Sequence, residues 1–237
     1  MKSLKYWLLV LGILSCFGCS SSIHEDNRGC SFICDSIQYR VEFMSAGCVR
    51  ILSYPEGDTL VTKRLVVDVE KPTFTDYKWE ETEQAFVFCT HELLVSFDKS
   101  DEAFTFREAS TGKLLLKEKD RRKARNFKRS EVGGEQCLEV TQRFIPTDEE
   151  AIYGLGQYQN GIMNYRGKSV LLLQANMDIV NPFLISTNGY GILWDNYSST
   201  KFEDTSEGYS FISEVGDASD YYFCLLYTSP SPRDGLL

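Results

Sequence analysis

What most constrains this chain is a hydrophobic period of two that keeps restarting. Ile37, Tyr39, Val41 and Phe43 alternate with polar partners. In the next run Val49, Ile51 and Ser53 face opposite to Cys48, Arg50 and Leu52, and the run ends at Pro55-Glu56-Gly57-Asp58. Such alternation makes half-buried strands, because successive side chains of an extended chain point to opposite faces. Further short runs follow at residues 65–69, 85–89, 93–97, 103–107, 114–116 and 137–144, and again at Phe202-Glu203-Asp204 and Gly208 to Ile212. The turn Ser110-Thr111-Gly112-Lys113 joins two of them as a hairpin. No stretch sustains a 3.6-residue period with caps, so no long helix is expected. Many short strands with turns at about 8–12-residue spacing predict an all-β chain folded as an antiparallel β-sandwich.

The stretch from Ala151 to Tyr197 has the punctuation of a β-protein that carries a ligand. Gly154 and Gly156 interrupt a β-prone run, as glycine does at a bulge or where another backbone approaches closely. Asn188-Gly189 is a hairpin dipeptide of the type I′ kind. Gln157, Asn176 and Asp178 are polar groups set between apolar segments. On an extended chain Asn176 and Asp178, two residues apart, point to one side, which suits hydrogen bonding to sugar hydroxyls. A turn carboxylate capping backbone amides is the plainer alternative for Asp178.

Both ends of the chain call for separate treatment. Lys2 and Lys5 followed by the apolar run from Tyr6 to Leu14 read as an export signal, too short for the ~20 residues a membrane span needs. Cys16, with Ile13 at −3 and Ser15 at −1, fits a bacterial lipobox and is the expected lipidation site; Cys19 is the second choice. A plain signal peptide cleaved nearby is the alternative. Residues 20–35 then read as a polar leader, and 36–223 as the sandwich. At the other end, Cys224-Leu-Leu-Tyr-Thr-Ser-Pro-Ser-Pro-Arg-Asp234 back-translates to the adapter of transposon-based sequencing libraries. Residues 224–237 are therefore expected to be adapter-derived, with genuine protein ending near Phe223.

The formal charge of −9 argues against nucleic acid as the main partner. The basic run Lys117 to Arg129 accordingly reads as a solvated loop between strands. Cys30, Cys34, Cys48, Cys89 and Cys137, with scattered spacing, make neither a disulfide framework nor a metal motif, and Cys89 reads as a small hydrophobe. With only His24 and His91 in the chain, neither a zinc site nor a Ser-His-Asp triad is expected. No metal or organic cofactor is expected. A glycosidase needs two carboxyls about 5–9 Å apart across the scissile bond, and no pair in the sequence is marked for that role.

The segment Glu149-Glu150-Ala151-Ile152-Tyr153-Gly154-Leu155-Gly156-Gln157 resembles the entry motif of glycoside hydrolase family 31. Pro182-Phe183 through Gly189-Tyr190-Gly191-Ile192-Leu193-Trp194 is similar to the strands that follow it, Gln38 to Ser53 to the family's first strands, and Val140 to Phe144 to the strand before the motif. The likeness covers about residues 36–223 and is strongest after Val140. It implies the galactose-mutarotase-like N-terminal β-sandwich of that family, without the catalytic (β/α)8 barrel. In such enzymes a sandwich loop reaches over the barrel mouth, and an Asn-x-Asp segment helps hold the terminal sugar. Asn176-Met177-Asp178 matches that segment, so Asp178, and less firmly Asn176, are implied as substrate ligands. The barrel's catalytic Trp-x-Asp motif has no counterpart: Trp194-Asp195-Asn196 echoes it only superficially, and no catalytic residue is assigned.

The resemblance thus implies the substrate-loop domain of a retaining exo-α-glycosidase, acting on α-xylosidic or α-glucosidic bonds of plant oligosaccharides and inactive without its barrel. Gln157, the run Asn164 to Lys168 and the lipoprotein start most resemble bacterial α-xylosidases. Its expected partners are an oligosaccharide, the barrel of the same chain and a membrane reached only through a lipid anchor, with localisation in the periplasm or on the outer-membrane surface. A surface lipoprotein that binds glycans through Tyr158, Tyr165 and Trp194, without catalysis, is the alternative. A mutarotase-like enzyme ranks last, because His24 and His91 are wrongly placed for an acid.

Overall fold

A computed structural model describes residues 23–60, 74–122 and 126–226. Every regular element among them is a strand. In the first third these are β1 (His24–Glu25), β2 (Cys30–Cys34), β3 (Ile37–Ser45), β4 (Cys48–Pro55), β5 (Lys78–Glu81) and β6 (Ala85–Cys89). The middle of the chain supplies β7 (Leu93–Asp98), β8 (Ala103–Glu108), β9 (Leu114–Glu118), β10 (Phe127–Val132), β11 (Glu135–Ile145) and β12 (Ile152–Gln157). The remainder forms β13 (Ser169–Leu172), β14 (Ile179–Ser186), β15 (Tyr190–Trp194), β16 (Thr200–Thr205), β17 (Gly208–Gly216) and β18 (Ser219–Leu225). One sheet runs β1-β2-β3-β4-β18-β15-β14-β12. The other runs β13-β16-β17-β11-β9-β8-β7-β6-β5, with β10 paired to β11. All pairings within them are antiparallel, as the period of two predicts.

The two inner faces meet in an aromatic core. Leu93, Val95 and Phe97 of β7 are fully buried, as are Phe104 and Phe106 of β8. Phe106 stacks on Phe223 of the opposite sheet with ring centroids 4.2 Å apart. Trp194 lies on Phe211 at 5.5 Å, nearly parallel. Offset and edge-on aromatic pairs of this kind add to the hydrophobic gain of burying each ring.

Three expectations are corrected. First, the stretch 20–35 is not a leader throughout: β2 pairs with β3 in the register Cys30↔Val41 and Phe32↔Tyr39, which puts Cys30, Phe32 and Cys34 inside. Small and polar neighbours hide that alternation in the sequence. Glu25 of β1 also closes the open side of the sandwich, accepting hydrogen bonds from the Trp79 indole (2.9 Å) and the Tyr77 hydroxyl (3.1 Å). Second, the basic run does join β9 to β10, but its described residues are not solvated throughout. Period two from Leu116 carries Glu118 to a fully buried position, and Arg121 follows it inside. Lys117, Lys119, Arg122 and Lys128 are ion-paired to Asp101, Glu207, Glu102 and Glu139, so no free basic patch forms among the described residues of the run. Third, the turn at Asn188-Gly189 is not type I′. Only Gly189 has positive φ, and Ser186 pairs with Tyr190 around a three-residue loop.

Glu118 is the hub of the interior polar network. Its Oε1 accepts from Arg121 (2.6 Å), Gln142 (2.8 Å) and the Tyr221 hydroxyl (2.7 Å), and its Oε2 accepts from the Phe104 amide (2.8 Å). Burial works against the Arg121 charge, but the Glu118 carboxylate together with the Tyr39 and Tyr221 hydroxyls outweighs it and holds the guanidinium above its ordinary pKa.

The expected lipidation site and the strand at 65–69 lie outside the described residues. At the other end β18 continues through Leu225 by main-chain pairing with β15 and, as far as Cys224, with β4. Any residue type can extend such a ladder, so the expectation of adapter origin for 224–237 rests on the codon match.

Candidate functional site

The two sheets each end at one edge in a strand from the stretch first singled out, β12 in one and β13 in the other. Along β12 three consecutive residues have positive φ: Gly154 at 96°, Leu155 at 65° and Gly156 at 119°. There the pairing with β14 jumps from Gly154↔Leu184 to Gly156↔Val180, so Leu155 faces Asn181-Pro182-Phe183. Pro182, with no amide hydrogen to offer a ladder, sits in that irregular step. A Cβ on Gly154 would lie 2.5 Å from the Phe183 carbonyl oxygen, and one on Gly156 would run into that of Ile179. Both glycines are thus sites of close backbone approach. The twist turns Leu155 into the core, where it is fully buried.

The segment that leaves β12 is tied back to it. The Tyr158 hydroxyl donates to the Leu155 carbonyl at 2.9 Å, the Tyr165 amide to the Ile152 carbonyl at 2.8 Å, and the Ile152 amide to Asn164 Oδ1 at 3.1 Å. At the start of the strand Glu150 accepts from the Thr147 amide (2.9 Å) and from the buried Tyr190 hydroxyl. Tyr190 in turn lies 3.1 Å from the Tyr209 hydroxyl, which links the two sheets.

Asn176 and Asp178 do not lie on an extended chain. The Asp178 amide donates to the Ala175 carbonyl at 3.3 Å, closing a tight turn with Met177 at φ 69°. The same-side reading therefore fails, because a turn redirects the chain between the two residues. Asn176 is exposed and Asp178 half-buried. Gln174 brackets the turn: its Nε2 donates to the Asp178 carbonyl (3.0 Å) and its Oε1 accepts from the Val180 amide (3.1 Å). No described residue hydrogen-bonds to the Asp178 carboxylate, so the amide-capping alternative has no support in the geometry. Sequence reasoning missed Gln174, since nothing in its neighbours marks a side chain that reaches across a turn to the main chain of Asp178 and Val180.

Burial, then the nearby Tyr165 hydroxyl and Asp178 carboxylate, push the Tyr158 phenol up to about 12. A raised folded-state value means the stabilisation is complete below the ordinary pKa near 10 and is lost as pH rises through about 12. In a ¹³Cζ NMR titration Tyr158 should stay protonated after exposed tyrosines have ionised. Titration together with them would show that the Tyr158 hydroxyl is in contact with water and not buried.

The stretch that carries the turn exposes many apolar side chains. Met163, Leu171, Leu173, Met177, Ile179 and Ile185 account for six of the eleven large exposed hydrophobics among the described residues. Two of the three aromatics expected for glycan stacking are not available: Trp194 is fully buried with its indole on Ser213 (2.9 Å), and Tyr165 is buried against Phe202, while Tyr158 is half-buried. His24 sits at the opposite edge of its sheet from β12, and His91 is an exposed turn residue beside Glu92.

Comparison with known proteins matches this architecture. Residues 38–203 fit the family model of the glycosyl hydrolase 31 N-terminal galactose mutarotase-like domain. An alpha-xylosidase of Saccharolobus solfataricus is 32% identical over 202 residues, which cover 79% of this chain and 26% of the relative. The crystal structure of a GH31 alpha-xylosidase from Xanthomonas citri superposes with a TM-score of 0.68 at 33% identity, over 77% of this chain and 20% of that one. A soil-metagenome GH31 alpha-xylosidase complexed with xylose has the same fold, with a TM-score of 0.73 at 20% identity over 88% of this chain and 33% of its own. The chain thus spans about a quarter of the length of the Saccharolobus alpha-xylosidase. With the family model spanning most of the sandwich, the chain belongs to glycoside hydrolase family 31 through its N-terminal galactose mutarotase-like domain.

Proposed function

We propose that this chain is the substrate-loop domain of a retaining exo-α-glycosidase that cleaves α-xylosidic or α-glucosidic bonds in plant oligosaccharides. α-Xylosidase is favoured because relatives carrying that name match over most of the sandwich at above 30% identity. The carrying observation is the Asp178 carboxylate: half-buried, free of hydrogen bonds from the described residues, and presented on a braced turn. An unspent carboxylate there would accept hydrogen bonds from two neighbouring hydroxyls of the terminal sugar, with Asn176 as the lesser ligand.

The chemistry itself belongs to two carboxylates of a barrel in the same polypeptide. One attacks the anomeric carbon, the other protonates the leaving oxygen and then activates water. The exposed apolar side chains of this stretch, Leu171, Leu173, Met177 and Ile179 among them, would be covered where that barrel docks. Export follows the N-terminal signal, with a lipid on Cys16 or Cys19 as the only membrane attachment.

The test begins with the genomic reading frame beyond Phe223. It should continue into a barrel, and the complete chain should hydrolyse p-nitrophenyl α-xyloside while residues 20–223 do not. Asp178→Ala in the complete chain should lower kcat/KM roughly 10- to 150-fold, the equivalent of about 1.5–3 kcal/mol for charged hydrogen bonds. A natural stop codon would favour a non-catalytic lipoprotein, and an unchanged kcat/KM would remove Asp178 from the site.

A further inference from the structure

Met177 is a solvent-exposed residue in the left-handed region, at φ 69° and 64% exposed. A side chain there crowds its own carbonyl, and only a surrounding structure that over-determines the backbone keeps it in place. Packing does not supply that constraint, because Ala175, Asn176 and Met177 are all exposed. The turn's own Asp178 amide to Ala175 carbonyl bond is long, at 3.3 Å, and the side-chain constraint added to it is Gln174. Its amide spans the base of the turn, donating to the carbonyl of Asp178 itself and accepting from the Val180 amide two residues on. Both halves of the amide are used, so the side chain acts as a short rung between the turn and β14.

We propose that Gln174 is the positioning residue of the Asn176-Met177-Asp178 turn, and that it sets where the Asp178 carboxylate stands. Without the rung, Met177 relaxes to negative φ, and the main chain at Asp178 rotates with it. Gln174 touches no sugar in this role; it acts through Asp178. The inference rests on the reading of Asp178 as a sugar ligand. Placement matters at that level, since an error of about 1 Å in a positioned group can cost roughly a hundredfold in rate.

The experiment uses the complete chain and p-nitrophenyl α-xyloside. Gln174 is itself exposed, so Gln174→Met removes both hydrogen bonds without touching the core. It should lower kcat/KM roughly tenfold at an unchanged melting temperature. Hydrogen exchange in the 174–180 segment should rise in parallel. Adding Met177→Gly, which accepts positive φ without strain, should return both readouts most of the way. An unchanged kcat/KM in Gln174→Met overturns the proposal. So does a loss that Met177→Gly fails to restore, because the turn's conformation would then not be what was lost. If Asp178→Ala is silent, the sugar-ligand reading falls instead, and the exchange data alone decide whether Gln174 holds the turn.

Discussion

Glu118→Ala should destabilise the sandwich by about 3–5 kcal/mol, the usual cost of stranding one partner of a buried ion pair. Four donors converge on this carboxylate, and none has water to turn to. Arg121 would keep bonds to Ser53 (2.9 Å) and Gln142 (3.0 Å), but both are neutral, and its charge would remain in the core. A domain's whole stability is about 5–15 kcal/mol, so a loss of this size approaches unfolding. Lys119→Ala is the control: its partner Glu207 is largely exposed, and water screens the pair, so its loss should shift the midpoint little. Urea midpoints followed by fluorescence of the buried Trp194 give the comparison. Equal midpoint shifts for the two variants would show that the network is not what holds the sheets in register. Glu118→Leu combined with Arg121→Met should recover much of the loss, since a packed apolar pair avoids the desolvation cost.

The same network marks the boundary of what the sequence makes legible. Alternation is a local signal, and it reads β7 and β8 correctly because Leu93, Val95, Phe97, Phe104 and Phe106 are apolar at every inward position. It fails at Glu118 and Arg121, where inward positions are charged and the compensating groups come from β11 and β18, far away in the chain. The first strands fail for the converse reason: Cys30 and Cys34 flank one aromatic, and short residues carry little periodic weight. At the site, Gly154 and Gly156 announce a close approach, and the structure shows which carbonyls approach. The turn at Asp178 is hidden because its decisive residue is Met177, a side chain that rarely adopts positive φ and gives no warning that it does. The resemblance in motif order found the loop; only the coordinates show how it is held.

Gly156→Ala should be the most damaging single-methyl change in the chain's candidate site. At φ 119° an added Cβ meets the Ile179 carbonyl oxygen and stands 2.9 Å from the Asn181 amide nitrogen. Those are main-chain atoms of the paired strand, so no rotamer change relieves the clash, and β12 must part from β14. Backbone strain of about 1–3 kcal/mol and overpacking of about 1–3 kcal/mol together predict a loss of about 2–6 kcal/mol. Gly161→Ala separates the two contributions: its φ is 68°, but nothing lies within 4 Å of the added carbon. It should cost about 1–2 kcal/mol, from the left-handed conformation alone. Ile179 directly follows Asp178, so strand separation at Gly156 also displaces the carboxylate. In the complete chain, assayed below the melting temperature of the variant, Gly156→Ala should therefore lose kcat/KM while Gly161→Ala keeps most of it. Equal stability losses in the two variants would mean that β14 can move aside freely, and the glycine would then be a matter of φ and not of the approach of two strands.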